Sequence, residues 1–488
     1  MLSWIVETGK FFKLPNPKCP LVRVRVAWDI VHDATIKSRT FSQTTQYKVT
    51  PCGCFTGVLH CQEWARDEDR HIFRRIMGVV GQNVYGRKFF RAVRRVAEYQ
   101  FRFHWQYGRM CTCLCTGGSG SMRRFAFILH PLRFDDFARK YPITRYVPPK
   151  LVESVFKHIN PILTSHVRGV QSLTGEELEG WLIALPLTPQ VILNSPYEWL
   201  LSKLEKAGHM AENLGAEILG LGAFTKIAGD RGVTLSQRLQ IPVTTGNSYT
   251  TATAVEGTLE AARRMEIDPG QAQVTVLGAT GSIGRATSFV LAPSVRHLRL
   301  VARHGDQLDL LKAQLLHDYP HLAVEISTVA REAVKDADIV IAVSSAPGAI
   351  IEPEDLKPGA VITDVARPRN ISAVVTTKRP DVLVLDGGVI EVPGERADMG
   401  FNFGFPPKMV EACMAETMIL ALSHRLENFT LGSEVEVAKV ADIHRLGREH
   451  GFKLAGFRRF ERAIDDREIE RIRGRLRQSK AQGLSQPG

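Results

Sequence analysis

Cysteine is nearly absent from most of this chain. After Cys115 only Cys413 remains, so the long C-terminal part can form no internal disulfide, and a reducing cytoplasm is the expected location. Long hydrophobic runs are also missing. No stretch of about 18 apolar residues occurs, so no integral membrane segment is expected. The first residues, MLSWIVETGKFFKLPNPK, lack an apolar core followed by a small-residue cleavage site, which argues against a signal peptide. The main body lacks a charge bias as well. The chain carries +12, but residues 1–121 hold 19 Lys and Arg against 8 Asp and Glu, while the remaining 367 residues hold 44 against 43. A body this close to neutral argues against a nucleic-acid-binding face.

What is present divides the 488 residues into unequal parts. Residues 1–121 form a basic, Cys-rich extension with clusters at Cys52, Cys54 and Cys61 and at Cys111, Cys113 and Cys115. Their CxC spacing is not the Cys-x-x-Cys of structural zinc sites, so no metal is assigned. A basic amphipathic helical pair is conceivable over 70–102. The segment is otherwise expected to be poorly ordered, or to precede a true start near Met122, and to be dispensable. Residues 122–250 mix strands and helices, beginning with the apolar run FAFILHP (125–131), and form the expected substrate domain. Residues 251–395 alternate strand and helix, with strands at 273–278, 297–303, 323–326, 338–343, 360–365 and 382–388. That alternation predicts a parallel, helix-covered sheet of the Rossmann type. Helices are expected over 406–427 and 433–468, within a C-terminal region of 396–470, followed by a frayed charged tail at 471–488. The fold class is therefore α/β: a Rossmann-type parallel sheet, an α/β substrate domain and C-terminal helices.

The first expected Rossmann strand runs into Gly278-Ala279-Thr280-Gly281-Ser282-Ile283-Gly284. Glycines spaced GxxGxxG between a strand and a helix allow a tight turn and close approach of backbone N–H groups to a pyrophosphate. An acid at the end of the next strand would favour NAD by binding the ribose 2′-hydroxyl. Arg303 stands there instead, with no acid before Asp306, which favours the 2′-phosphate of NADP(H). Ser345, after the fourth strand, and Gly387 and Gly388, after the last, fall at strand C-termini and are further candidate cofactor contacts.

Cys413 lies in Pro406-Pro407-KMVEACMAETMILAL, predicted as the second turn of a helix starting near Pro406 or Pro407. Its apolar neighbours suit a core cysteine; the helix start suits a nucleophilic thiolate. Glu411 and Glu416 lie close enough in sequence to oppose ionisation.

From about Met122 to about Phe460 the chain resembles the long-chain acyl-[acyl-carrier-protein] reductases. The matching stretches are LGAFTKI (221–227), TTGNSYTTA (244–252), VLGATGSIG (276–284), SSAP (344–347), RPRN (367–370), VLDGGVIE (384–391), EACMAETM (411–418) and NFTLG (428–432). The resemblance implies that Cys413 is acylated by an acyl thioester, on acyl carrier protein or coenzyme A. It also implies NADPH as hydride donor and a fatty aldehyde product for a downstream aldehyde-consuming enzyme. Thr244, Thr245, Asn247 and Ser248 are candidate oxyanion donors, and Glu416 a candidate proton carrier, although an exposed helical Glu is the blander reading. Two departures stand out: the family's GYPKN-like segment is ARPRN here (366–370), and Leu426 stands near the place of a family histidine, with His424 two residues earlier. Two other readings stay open. One is a dehydrogenase of the shikimate type, without a covalent intermediate, for which Lys226 and Asp230 are the only tempting pair. The other is a non-enzymatic NADP-binding protein.

Overall fold

The computed structural model describes residues 21–28 and 41–48 and, between 122 and 483, all but 132–133, 135, 137–143, 145, 147, 223–224, 226–229, 347 and 461. Residues 1–95 and 96–488 are separate units. In the first, strands β1 (Leu21–Trp28) and β2 (Phe41–Lys48) pair antiparallel. Both cysteine clusters and the helical reading of 70–102 lie outside the described residues.

The second unit holds two main sheets. The first contains β3 (Arg123–Leu129), β4 (Ile162–Gln171), β5 (Glu177–Ala184), β6 (Ile218–Leu221) and β7 (Val243–Thr244), in the order β4-β5-β3-β6-β7. Only β4 runs antiparallel to its neighbour. Alternation along β3 sends Phe125 and Phe127 to one face and Ala126 and Ile128 to the other, as the two-residue strand period requires. Helix α1 (Tyr197–Asn213) covers the Ala126 face with Leu200, Leu201 and Leu204. The Phe125 face receives a later helix, described below.

The second sheet contains β8 (Gln273–Leu277), β9 (His297–Val301), β10 (Ala323–Ser327), β11 (Ile339–Ala342), β12 (Val361–Asp364) and β13 (Leu383–Asp386). All six strands are parallel, in the order β10-β9-β8-β11-β12-β13. This is the doubly wound Rossmann order, with its switch point between β8 and β11. The strands expected from sequence are all present. Val/Ile/Leu-rich strands buried on both faces suit a sheet covered on both sides.

Helix α2 (Asn247–Arg264) joins the two sheets, packing against α3 (Ser282–Leu291), which follows β8, and against β12. Its N-terminal half is buried although rich in hydroxyls. Thr250, Thr251, Thr253 and Thr258 each donate to the carbonyl four residues earlier, so no hydroxyl among them is stranded. Helix α4 (Gly305–Asp318) follows β9 and buries Leu308, Leu311 and Leu315.

The C-terminal part differs from its expected form. No helix starts at Pro406. Met409–Glu411 is a strand, β15, paired with β14 (Val389–Glu391), which also pairs with β16 (Lys453–Leu454). Helix α5 spans Ala412–Leu422 and is buried at ten of its eleven positions, apolar on all sides because both α1's sheet and α2 enclose it. Helix α6 (Val437–His450) stops at Gly451, left-handed at φ +91, where an L side chain would be strained. Residues 453–464, expected as helix, form short strands instead. Helix α7 (Asp466–Gly483) takes up 471–483, most of the stretch expected as a frayed tail, and on it Arg473 pairs with Glu470 and with Glu266.

His130, just past β3, is buried, with Nδ1 2.9 Å from the Pro131 carbonyl oxygen. Burial pushes it from 6.5 down to about 4. The folded chain thus refuses a proton that the unfolded chain accepts. Stability from this group is present above pH 6.5 and is lost as pH falls towards 4, on the order of 3 kcal/mol in all. Between about pH 7 and pH 4 the unfolding free energy from urea titrations is expected to fall by about 3 kcal/mol more in wild type than in His130→Asn; equal falls would contradict it.

Candidate active site

The glycine loop is built by contact as much as by backbone freedom. Gly278 has φ +86, and a Cβ there would lie 2.7 Å from the Ser344 Cα. At Gly284 a Cβ would lie 2.1 Å from the Gly278 carbonyl oxygen. Gly281, by contrast, is exposed, with Thr280, Ser282 and Ile283 half-buried beside it. It precedes α3 without a side-chain cap, so the first-turn N–H groups of α3 are offered outward. A pyrophosphate fits this cradle. Arg303, past β9, is exposed and makes no ion pair or side-chain hydrogen bond among the described residues, leaving its guanidinium available. Ser345 is exposed, and the neighbouring Ser344 N–H donates to the Asn370 Oδ1 at 3.1 Å.

Gly387 and Gly388 line a cavity together with Thr253, Gly257 and Thr363. A Cβ on Gly387 would lie 2.7 Å from the Val365 Cγ2. The Gly388 carbonyl accepts the Ala412 N–H at 2.7 Å and so holds the first residue of α5.

Cys413 is the second residue of α5 and is half-buried, in the first turn rather than the predicted second. Gly246, left-handed at φ +74, lies against it: a Cβ would stand 2.2 Å from the Cys413 Cα. The next residue, Asn247, donates from Nδ2 to the Ser282 Oγ at 3.2 Å. Asn247 is the first residue of α2 and Ser282 the first of α3. Three helix N-termini therefore meet, one carrying the thiol and one carrying the nucleotide loop. Sequence spacing alone could not reveal this, because the three segments are more than 30 residues apart.

Glu416 explains why they meet. It is wholly buried, not exposed as the blander reading expected. Its carboxylate accepts from the Thr244 Oγ1 at 2.5 Å, the Tyr249 N–H at 2.8 Å and the Thr430 Oγ1 at 3.0 Å. Thr245 donates to the Thr430 carbonyl through both its N–H (2.9 Å) and its Oγ1 (3.0 Å), and Ser248 bonds the Thr430 hydroxyl at 2.9 Å. The hydroxyls of Thr244, Thr245 and Ser248, candidates for oxyanion donors, are thus spent on holding the loop. Asn247 is the one of the four whose side chain reaches the nucleotide loop.

Glu411, the residue before α5, lies 3.5 Å from the Arg367 Nε. Arg369 makes a two-pronged contact with Asp386, at 2.9 and 3.2 Å. Asp364 is buried at the end of β12 and accepts the Ala366 and Ile371 N–H groups at 3.1 and 2.9 Å; burial pushes it up to about 6. The sequence reading missed this Asp364–Arg367–Arg369 network. Its signal was the two arginines of ARPRN beside strand-end acids. Lys226 lies outside the described residues, and Asp230 is occupied by the Thr234 N–H (2.8 Å) and the Tyr197 hydroxyl (3.0 Å). Among the described residues no group of three or more His, Cys, Asp or Glu could hold a metal, and no helix is long and apolar enough to cross a membrane.

Residues 260–386 match the sequence profile of Shikimate / quinate 5-dehydrogenase. Over 298 residues the chain is 30% identical to a long-chain acyl-[acyl-carrier-protein] reductase of Synechococcus elongatus, covering 58% of this chain and 85% of that protein. The chain belongs to the long-chain acyl-[acyl-carrier-protein] reductase family. It is also 31% identical over 308 residues to the aminotransferase PigE of a Serratia species, covering 62% of this chain but only 35% of PigE, so it spans about a third of that relative. Among solved structures, L-tryptophan dehydrogenase from Nostoc punctiforme aligns over 78% of this chain and 99% of its own, at 11% identity and a TM-score of 0.31. Family and sheet order together make this a Rossmann-type, nicotinamide-dependent oxidoreductase.

The Glu416 carboxylate is expected to hold the site mechanically. Glu416→Gln replaces one acceptor oxygen by a donor facing hydroxyl and amide donors, and should cost about 2 kcal/mol in a urea titration. An unchanged midpoint would show that the second carboxylate oxygen is not needed.

Proposed function

We propose that this chain reduces a fatty acyl thioester to a fatty aldehyde with NADPH, through an acyl group carried on Cys413. The observation that carries the reading is the contact chain Cys413–Gly246–Asn247–Ser282, which joins the thiol to the nucleotide cradle. The Cys413 sulfur attacks the thioester carbonyl and a new S–C bond forms. The old S–C bond breaks and the carrier leaves as its thiol, taking up one proton. When bound, NADPH supplies a hydride to the acyl carbon. The resulting hemithioacetal oxyanion then expels the Cys413 thiolate and leaves the aldehyde. The sum is thioester, NADPH and a proton giving aldehyde, thiol and NADP⁺. The α5 N-terminus turns its partial positive charge towards this carbon, and Asn247 is a donor beside it. The thioester is carried on acyl carrier protein or coenzyme A, and the aldehyde passes to an aldehyde-consuming enzyme.

The Shikimate / quinate 5-dehydrogenase match favours a second reading, hydride transfer without a covalent intermediate. That match ends at residue 386, before Cys413, and this reading requires activity indifferent to the thiol.

Incubating the full chain with acyl thioester and no NADPH should place one acyl group on Cys413, seen by intact mass and peptide mapping. Adding NADPH should release aldehyde. Cys413→Ser should lower aldehyde formation by at least about 10³-fold. Full activity in this variant would sink the covalent route.

The preference for NADPH rests on Arg303. Arg303→Ala is expected to weaken NADPH binding about tenfold and leave NADH binding unchanged, measured by cofactor fluorescence. Equal effects on both cofactors would remove the assignment of the 2′-phosphate to this arginine.

A further inference from the structure

The chain beyond β11 is held by a single residue, Asn370. Ladder bonding between β8 and β11 ends where the Val343 N–H donates to the Leu277 carbonyl at 2.9 Å. Past that point β8 has turned into the glycine loop, and the Ser344 N–H finds its partner off the sheet. It donates to the Asn370 Oδ1 at 3.1 Å. Further along, the Asn370 carbonyl accepts the Ile350 and Ile351 N–H groups at 2.8 and 3.2 Å. Asn370 thus ties both ends of the 344–350 loop, one with its side chain and one with its backbone. It is wholly buried, and its own place is set by Asp364, which accepts the N–H of the next residue, Ile371, at 2.9 Å. Between the two ties the Ser344 Oγ accepts the Ala346 N–H at 3.2 Å, and Ser345 is exposed.

The loop lies where an open α/β sheet binds its ligand. Strands β8 and β11 flank the switch point, and the crevice there opens outside their C-terminal ends. The nucleotide turn forms one wall, and Ser344 touches it: a Cβ on Gly278 would lie 2.7 Å from the Ser344 Cα and 2.8 Å from its N. The 344–350 loop forms the other wall. Arg303, the candidate for the 2′-phosphate, follows β9, which lies on the opposite side of β8 from β11. With the adenosine half of the cofactor on the β9 side and the pyrophosphate at the start of α3, the nicotinamide half is left to the β11 side. That is the side Asn370 fixes.

We propose that Asn370 is a positioning residue for the nicotinamide half of the cofactor, acting through the Ser344 N–H and the 344–350 loop. This rests on the nicotinamide cofactor of the family, and only its turnover measurement rests on the thioester-reductase reading above. The test compares Asn370→Leu, Asn370→Ser and Asn370→Asp with wild type, all as the full chain. Leucine removes the acceptor at similar size, and serine is too short to reach Ser344. Aspartate keeps an oxygen there, and the Nδ2 that it replaces makes no hydrogen bond. Two ligands are titrated calorimetrically: NADPH, and 2′,5′-ADP, which carries the 2′-phosphate and lacks the nicotinamide half. Asn370→Leu and Asn370→Ser should bind NADPH about tenfold more weakly and bind 2′,5′-ADP as wild type does. Their kcat for aldehyde should fall about 10²-fold, the scale of loss when a reacting group is misplaced. Asn370→Asp should recover both. The serine and aspartate variants decide the matter even if Asn370→Leu does not fold. Equal weakening of both ligands overturns the proposal by making Asn370 a support of the whole nucleotide domain. Unchanged affinity for both overturns it whatever happens to turnover. An aspartate variant as impaired as the leucine one overturns it by showing that the accepted N–H is not what matters. No aldehyde from any thioester, with the affinity difference intact, overturns the reductase reading and leaves Asn370 in this role.

Discussion

The buried carboxylate of Glu416 is the constraint on which the site depends. A carboxylate with no exposure needs several donors, and this one draws them from two segments: Thr244 at the end of β7 with Tyr249 in the first turn of α2, and Thr430 after α5. Satisfying it brings the 244–249 turn down onto α5. Gly246 then lies so close to Cys413 that no side chain fits, and Asn247 is carried to Ser282. The polar requirement at one buried atom pair thereby sets the spacing between a thiol and a nucleotide loop on different sheets.

Helix α2 transmits that constraint. A helix between two sheets must be buried on most sides, and a helix rich in threonine would ordinarily strand its hydroxyls there. Back-bonding to the carbonyls of the preceding turn solves this, and Thr258 uses the same hydroxyl to reach Thr363 on β12 at 2.8 Å. The small side chains also let α3 and α5 approach closely.

The Rossmann half was legible because its signals are local: Val/Ile-rich strands, a glycine turn and an uncapped helix follow one another in sequence. The first turn of α5 was legible only as a region. Met409–Glu411 reads as part of an apolar helical run, and it becomes a strand because β14, about twenty residues earlier, offers it an edge. Glu416 was the hardest residue to place. Nothing local marks a helical glutamate as buried; its donors lie 172, 167 and 14 residues away. The same holds for Arg367, whose partner Glu411 arrives from beyond the sheet.

Convergence of three helix N-termini also dictates how the acids around them are treated. Each N-terminus contributes a fraction of a positive charge, and together they favour whatever negative charge develops between them, whether a pyrophosphate or an oxyanion. Free carboxylates at the same place would cancel that field. Four acids of this region are each engaged: Glu411 by Arg367, Asp386 by Arg369, Glu416 by three donors and Asp364 by two backbone N–H groups. Asp364 goes further, since burial moves it up to about 6, so it takes up its proton as the pH falls only slightly below neutral. The acids that in sequence looked like a threat to the thiol are thus the means by which the loops around it are fixed, with their charge returned to partners on the same edge of the sheet.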